Sequence, residues 1–241
     1  MENIFICIPT YNEADNIIAL LEKLNIIKKF IKNYQIKVVI VDDNSPDGTG
    51  DIIEKYKIDH PNYCLFTIHN SHKTGLGKAY IQAFSYALSQ KAFAVLMMDA
   101  DFSHNPEYIP SILNQLNKYD FIIGSRYTKG GGVVNWPLKR KLISRLGNFY
   151  AQIILSSPIN DLTGGFNCYK AEVIKKLHLD TLKSEGYSFQ IELKYRAYKI
   201  GYKYHEVPII FKDREFGKSK FSSGIFREAI ITPWKLRFGL F

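Results

Sequence analysis

Cysteine is scarce: Cys7, Cys64 and Cys168 are the only three in 241 residues, far apart and without a Cys-x-x-Cys pair or a neighbouring pair of histidines. An odd, scattered set suggests neither a disulfide framework nor a zinc site, and it fits a reducing cytosol. Long apolar runs are missing too. None approaches the roughly 18 residues of a membrane-spanning helix, and Met1-Glu2-Asn3 leads into a short strand without a basic and apolar signal core. A soluble or peripheral protein is expected. Acidic residues are in deficit, 23 Asp and Glu against 32 Lys and Arg, and the net charge of +9 favours anionic partners: nucleic acid, phosphorylated substrates or an acidic membrane surface. Internal repeats and low-complexity segments are absent, and 46% hydrophobic residues argue against disorder.

The most apolar stretch, residues 92–98, reads as a strand buried on both faces, and it hands over to Asp99-Ala100-Asp101. Residues two apart share a face of an extended chain, so both carboxylates can address one hard cation that keeps its other positions for water and phosphate oxygens. Capping of the next helix, or solvation of a turn, is the competing role for such a pair. Four more strands are expected at 4–8, 38–41, 65–68 and 121–123, with helices between them. The first helix carries Ile17, Leu20, Leu21, Leu24, Ile27 and Ile31 on one stripe, with Asn12 as its cap. Such alternation predicts a parallel, doubly wound sheet with right-handed crossovers. Each strand ends in a stretch rich in Asp, Gly, Asn, Ser or basic residues. Those ends share the edge where open α/β sheets bind ligands, so five motifs converge on one crevice. Independent capping roles would not require that placement, which favours the cation.

Beyond Tyr127 the pattern changes. Gly130-Gly131-Gly132 reads as a hinge or lid, and Trp136 to Lys141 leads into a helix with Leu142, Ile143, Leu146, Phe149, Tyr150, Ile153 and Ile154 on one side. Residues 161–167 read as a turn-rich return, 187–200 as a helix and 206–211 as a strand placed at an edge by Pro208. Of the chemistry-bearing residues, Tyr11 can stack on a base, and Glu13 and Asp43 can accept from its ring nitrogen or from ribose; starting a helix or a turn is their bland alternative. Gly75-x-Gly77 is a weak phosphate-cradle signal and a better turn. Arg126, Arg140, Arg214, Lys218 and Lys220 can grip a diphosphate, or stand solvated. His72 and His104 read as polar loop residues and His205 as structural.

Taken in order, Pro9-Thr10-Tyr11-Asn12-Glu13, Asp42-Asp43-Asn44-Ser45-Pro46-Asp47-Gly48-Thr49, Lys73-Thr74-Gly75-Leu76-Gly77-Lys78-Ala79-Tyr80, Met98-Asp99-Ala100-Asp101-Phe102-Ser103-His104, Gly124-Ser125-Arg126-Tyr127, Trp136-Pro137-x-x-Arg140, Asp161-x-Thr163-x-Gly165-Phe166, Glu206-Val207-Pro208-Ile209 and Asp213-Arg214-x-x-Gly217-x-Ser219-Lys220 span nearly the whole chain. The set resembles the dolichol-phosphate (polyprenol-phosphate) mannose synthases. The resemblance implies an α/β GT-A fold over residues 1–223, a Rossmann-like, mostly parallel sheet flanked by helices, with an interfacial helical tail at 224–241. It implies inverting transfer of a sugar, mannose from GDP-mannose, to a polyprenyl phosphate, with Mg2+ or Mn2+ as cofactor. By motif, Pro9, Tyr11, Glu13, Val41, Asp43, Lys73 and Ala100 would line the nucleotide sugar, with Arg126, Arg214 and Lys220 on its phosphates. Asp99 and Asp101 would hold the metal and, with Arg126, act in catalysis; Arg140 and Ser144 would take the acceptor phosphate. Ser103 stands where some relatives place Gln as a further metal contact. Asn167 replaces a more usual Arg, removing a cation from the sugar or acceptor region. The membrane-spanning tail of many bacterial and yeast relatives has no counterpart.

A phosphate monoester, with a second pKa near 6, is mostly a dianion at neutral pH and needs no general base, in keeping with the lack of a His/Asp or Ser/His pair. Two other readings stay open: a glycosyltransferase of the same fold using a UDP-sugar or another acceptor, which needs a base beyond Asp101, and an inactive nucleotide-binding regulator, which would tolerate loss of Asp99 or Asp101. No motif supports nucleic acid as partner. The tail interleaves Ile225, Phe226, Ile230, Ile231, Trp234, Leu236, Phe238, Leu240 and Phe241 with Arg227, Lys235 and Arg237, which suits a peripheral site at the cytoplasmic face of a membrane. Packing on the catalytic domain, or on a small membrane-anchoring subunit, is the alternative for this tail, and Pro233 is expected to interrupt any long helix there.

Overall fold

The structure, a computed structural model, describes residues 1–213 and 223–240, with side chains of the last helix from residue 228 onward. In chain order the elements are β1 (Glu2–Thr10), α1 (Ala14–Ile27), β2 (Tyr34–Asp42), α2 (Thr49–Asp59), β3 (Leu65–His69), α3 (Leu76–Ser89), β4 (Ala94–Met97), α4 (Ile109–Leu113), β5 (Phe121–Ser125), β6 (Gly132–Val134), α5 (Leu138–Leu155), β7 (Asn167–Lys170), α6 (Ala171–Lys176), α7 (Gly186–Ile200), β8 (Tyr204–Pro208), β9 (Ile210–Lys212) and α8 (Ser223–Phe238). A seven-stranded sheet runs β3-β2-β1-β4-β7-β5-β8. Alternate residues of β1 feed opposite cores: Ile4, Ile6 and Ile8 join Ile17, Leu20 and Leu24 of α1, while Phe5 and Cys7 join Ala79, Tyr80 and Phe84 of α3. Burial on both faces is why β1, β2 and β4 read as nearly continuous apolar runs.

Several expectations are corrected. The sheet is mixed, because β7 runs antiparallel between β4 and β5. Its Asn-Cys-Tyr-Lys sequence carries no apolar run, and it begins at Asn167, the last residue of the stretch expected to be a turn. β4 begins two residues later than the apolar run, with Phe93 instead donating its N–H to Asn3. The edge segment around Pro208 divides: β8 stays at the sheet's edge beside β5, and β9 leaves it to pair with β6. Gly132 belongs to β6 and is no hinge, and a Cβ on Gly131 would stand 2.5 Å from the Ser125 carbonyl oxygen, so this triplet is a packed turn. α3 starts at Leu76, and Gly77 serves close packing, since a Cβ there would stand 2.9 Å from the Ser184 carbonyl oxygen. α8 continues through Pro233 while packing on α5 and α7, with Thr232 and Pro233 buried. That burial offsets the hydrogen bond a proline cannot donate.

Candidate active site

The loops that follow β1, β2 and β3 are knitted into one edge. Asp43 donates its N–H to the Thr10 carbonyl at 2.9 Å and Asn70 to the Asp42 carbonyl at 2.9 Å. The amides of Asn12, Glu13 and Ala14 donate to Ser45 Oγ, Thr49 Oγ1 and Asp47 Oδ2, each at 3.0 Å. The loop after β2 therefore satisfies the amino terminus of α1. Asn12, the expected cap, makes no such bond; it sits at φ 58° in the turn that brings the loops together.

The residues expected at the nucleotide fall into two groups. Tyr11 and Lys73 meet directly, the ammonium 3.7 Å from the ring centroid. Glu13 accepts from Asn16 Nδ2 at 2.9 Å. Asp43 is buried, and its carboxylate accepts from the amides of Thr74 and Gly75 at 2.7 and 2.8 Å, the Thr74 hydroxyl at 2.8 Å and Asn70 Nδ2 at 3.0 Å. Burial acts to raise its pKa, but these donors outweigh it and hold the group below the ordinary carboxylate range. Asp43 thus anchors the loop that carries Lys73 onto Tyr11. Pro9 pairs with Val41 across β1 and β2; the Val41 side chain is wholly in the core and Ala100 is buried.

After β4 the chain folds tightly around its carboxylates. Ser103 donates its N–H to Asp101 Oδ1 at 3.1 Å, and Phe102 between them is held at φ 60°, a strained conformation for an aromatic residue. Asp99 donates its N–H to His104 Nδ1 at 2.9 Å, and the Tyr80 hydroxyl approaches Asp99 Oδ1 at 3.5 Å. Burial drives the Tyr80 phenol well above its usual pKa, with Asp99 adding to the effect, so it stays a neutral donor. His104 is a correction to the sequence reading: it is 2% exposed and stacks on Phe166 with centroids 5.1 Å apart. Because Nδ1 accepts the Asp99 amide, the proton sits on Nε2; burial lowers the ring's pKa against the pull of Asp99 and Asp101, keeping it neutral. Asp101 is buried, the Asp99 side chain is about one-third exposed, and the Ser103 hydroxyl is buried without a partner among the described residues. Two carboxylates and an orphaned hydroxyl form an all-oxygen set, which fits Mg2+ or Mn2+. Among the described residues no cluster of three His, Cys, Asp or Glu could hold a metal ion, so diphosphate oxygens and water would complete its coordination.

Arg126 and Arg140 are both paired with carboxylates. Arg126, buried at the end of β5, donates Nε and Nη2 to the two oxygens of Asp161 at 2.8 and 2.7 Å, and Nη2 also to Thr163 Oγ1 at 2.8 Å. Burial disfavours both charges, yet the pair prevails: the guanidinium pKa is raised and the Asp161 carboxyl is held well below its usual range. Arg140 spans both oxygens of Asp213 at 2.8 and 2.9 Å and lies 4.1 Å from the Trp136 ring centroid. Ser144 shares a 2.7 Å hydrogen bond with the Tyr127 hydroxyl. Arg214, Lys218 and Lys220 lie outside the described residues. Asn167, expected to mark a lost cation, is fully buried and donates to the Gly164 carbonyl at 2.9 Å and Gln190 Oε1 at 3.0 Å. Sequence reading assigned no role to Asp161, Thr163 or Lys194; the Asp-x-Thr spacing was the one available signal for the first two.

Residues 5–178 match the family described as Glycosyl transferase family 2. The chain belongs to that family of glycosyltransferases. It is 39% identical over 231 residues to the undecaprenyl-phosphate mannosyltransferase of Micrococcus luteus, covering 95% of this chain and 92% of that one. It is 37% identical over 235 residues to the polyprenol monophosphomannose synthase of Mycolicibacterium smegmatis, covering 96% and 86%. Among solved structures, glucosyl-3-phosphoglycerate synthase from Mycobacterium tuberculosis, in complex with Mn2+, UDP and glucosyl-3-phosphoglycerate, superposes with a TM-score of 0.67 at 12% identity, over 99% of this chain and 80% of that one. A mannosyltransferase from Pyrobaculum calidifontis in complex with GDP-Man and Mn2+ gives 0.60 at 15% identity, over 99% and 73%. Identities this low speak to the fold, and that fold is GT-A.

Proposed function

We propose that this protein transfers mannose from GDP-mannose to a polyprenyl phosphate with inversion, using a divalent cation on Asp99, Asp101 and the Ser103 hydroxyl. The observation that carries the reading is the orphaned Ser103 hydroxyl beside two carboxylates at the carboxyl end of β4, in a chain whose curated relatives are named for mannosyl transfer to such lipids. When bound, the cation supplies a Lewis acid for the leaving diphosphate. The chain's residues do the rest. Tyr11 offers a face for the base, and Lys73, which stands over that face, can turn to the donor's phosphates. Arg126, fixed by Asp161, adds positive charge beside the leaving group, and Arg140 with Ser144 receives the acceptor phosphate. That acceptor is already a dianion, so no side chain has to remove a proton. Incubation with a panel of labelled nucleotide sugars and a short polyprenyl phosphate tests the reading. Label from GDP-mannose is expected in the lipid phase; preferential use of a UDP-sugar would reverse the choice of donor.

The acceptor's tail lies in lipid, so the site must reach a membrane surface. Leu138, Leu142, Leu146, Phe149 and Ile153 of α5 are exposed, as are Ile230, Ile231, Trp234 and Phe238 of α8. The two helices are joined by Trp234 Nε1 to the Tyr150 hydroxyl at 2.7 Å and Arg237 to Ser156 Oγ at 3.0 Å. Among the described residues no helix is long and apolar enough to cross a membrane. An apolar surface flanked by Lys139, Lys141, Arg145, Lys235 and Arg237 suits peripheral docking at the cytoplasmic leaflet, with or without a small anchoring subunit. The protein is expected to float with anionic liposomes at low salt and a Leu142→Glu/Phe149→Glu variant to remain behind. Equal behaviour of the two would remove α5 from the docking surface.

A further inference from the structure

Lys194, in α7, is fully buried, and its ammonium donates to the carbonyl oxygens of Asp161, Leu162 and Gly164 at 2.8, 3.2 and 2.6 Å. Three acceptors from one turn match the three donors of an ammonium, which is what a buried charge requires. Two other elements hold the same turn: Asn148 of α5 accepts the Leu162 N–H at 2.8 Å, and Glu206 of β8 accepts the Asp161 N–H at 3.1 Å. The turn is closed from inside as well, Gly164 donating its N–H to Asp161 Oδ1 at 2.8 Å. What all these contacts orient is the Asp161 carboxylate, which takes the Arg126 side chain through Nε and Nη2 and the Arg126 backbone N–H at 2.9 Å. Nothing in the transfer chemistry touches Lys194 itself.

We propose that Lys194 is a positioning residue for sugar transfer, acting through the 161–164 turn to fix Asp161 and thereby the place of the Arg126 guanidinium at the end of β5. The proposal rests on the reading of Arg126 as a group beside the leaving diphosphate. A lysine kept only for stability would be replaceable by an apolar side chain of similar length, since buried charges commonly stabilise no better than a well-packed isostere. A positioning lysine would not, because the turn then loses the donors that set its geometry.

The charge state of Lys194 provides a second handle. Burial pushes its pKa down to about 7, against the attraction of Asp161 and Glu206 and with the repulsion of Arg126. These are the charged groups facing it from the turn, from β8 and from β5. A neutral amine has two donors for three carbonyls, so raising the pH through that value takes one bond from the turn. Transfer is therefore expected to decline on the alkaline side, where Asp161 and Arg126 keep their charges.

The test compares wild type with Lys194→Met, Lys194→Arg and Arg126→Lys in the full chain, by circular dichroism and by kcat and donor KM across about pH 6 to 9. Lys194→Met is expected to lower kcat about tenfold or more with donor KM within about threefold, and to lose the alkaline limb. Lys194→Arg, charged throughout, is expected to recover part of kcat and move that limb upward. Should Lys194→Met fail to fold, the wild-type limb and its displacement in Lys194→Arg carry the test. Wild-type kcat in Lys194→Met, an alkaline limb unmoved by either variant, or a wild-type profile without that limb would overturn the proposal. A crippled Arg126→Lys alongside an unaffected Lys194→Met would leave the reading of Arg126 standing; a fully active Arg126→Lys would remove that reading instead.

Discussion

Asp101→Asn, or Asp99→Asn, is expected to lower sugar transfer by about a thousandfold or more while the circular-dichroism spectrum stays that of wild type. Asparagine keeps the shape of the side chain, and at position 101 it keeps an oxygen to accept the Ser103 N–H. It removes one of the two negative charges that face the cation. Charge stabilisation by a bound cation is worth several kcal/mol in the transition state, and about 4 kcal/mol corresponds to that thousandfold. Rates of labelled product formation, taken with and without added Mn2+, check this. Turnover near the wild-type rate in either variant would leave the pair as a turn and not as a metal site, the role that sequence alone had kept open.

Asp161→Asn carries the second large effect, and it reaches stability as well as rate. The change strips one charge from a buried, bidentate pair and leaves the Arg126 guanidinium in the core without its counter-charge. Breaking such a pair costs about 3–5 kcal/mol. For a chain of this size that is a fall in Tm of roughly 10 °C. The pH dependence follows from the direction of the shift. Arg126 holds the folded-state pKa of Asp161 below its unfolded value, so the stability this carboxylate contributes is fully present above the unfolded pKa and is lost as pH falls through the folded one. The Tm gap between wild type and Asp161→Asn is therefore expected to be widest near neutrality and to narrow below about pH 4. No gap would mean that the pair contributes nothing to folding, and a gap independent of pH would mean that the carboxylate's charge is not its source.

How much of this was legible in the sequence depended on the kind of signal. The stripe Ile17, Leu20, Leu21, Leu24 and Ile27 and the apolar runs of β1, β2 and β4 announce buried surfaces, and these are buried, whereas Ile31, expected on the same stripe, falls beyond the end of α1 and is only partly buried. Asp99 and Asp101 were legible as a candidate pair because five strand ends converge on their edge, whereas the pair alone served equally well as a cap or turn; the structure sets them beside a hydroxyl that no described group satisfies. β7 was not legible: four residues with one edge on β4 and the other on β5 are held by their neighbours, not by their own pattern. The arginines were legible as cations but not as ion pairs, since Asp161 lies 35 residues from Arg126 and Asp213 lies 73 from Arg140. His104 and Lys194 escaped for a shared reason: a polar residue in a loop or on a helix reads as solvated, and only the packed chain reveals that both are buried and bound to backbone groups.

The central claim is metal-dependent mannosyl transfer to a polyprenyl phosphate at the Asp99–Asp101 edge. Its most direct test is one assay: the protein stripped with EDTA, labelled GDP-mannose and a short polyprenyl phosphate, titrated with Mn2+ or Mg2+, with label counted in the organic phase. The account predicts no labelled lipid in the stripped sample, its return on adding either cation, and a product whose anomeric configuration is inverted relative to the donor. Labelled lipid formed equally well in EDTA, or a configuration retained from the donor, would contradict it.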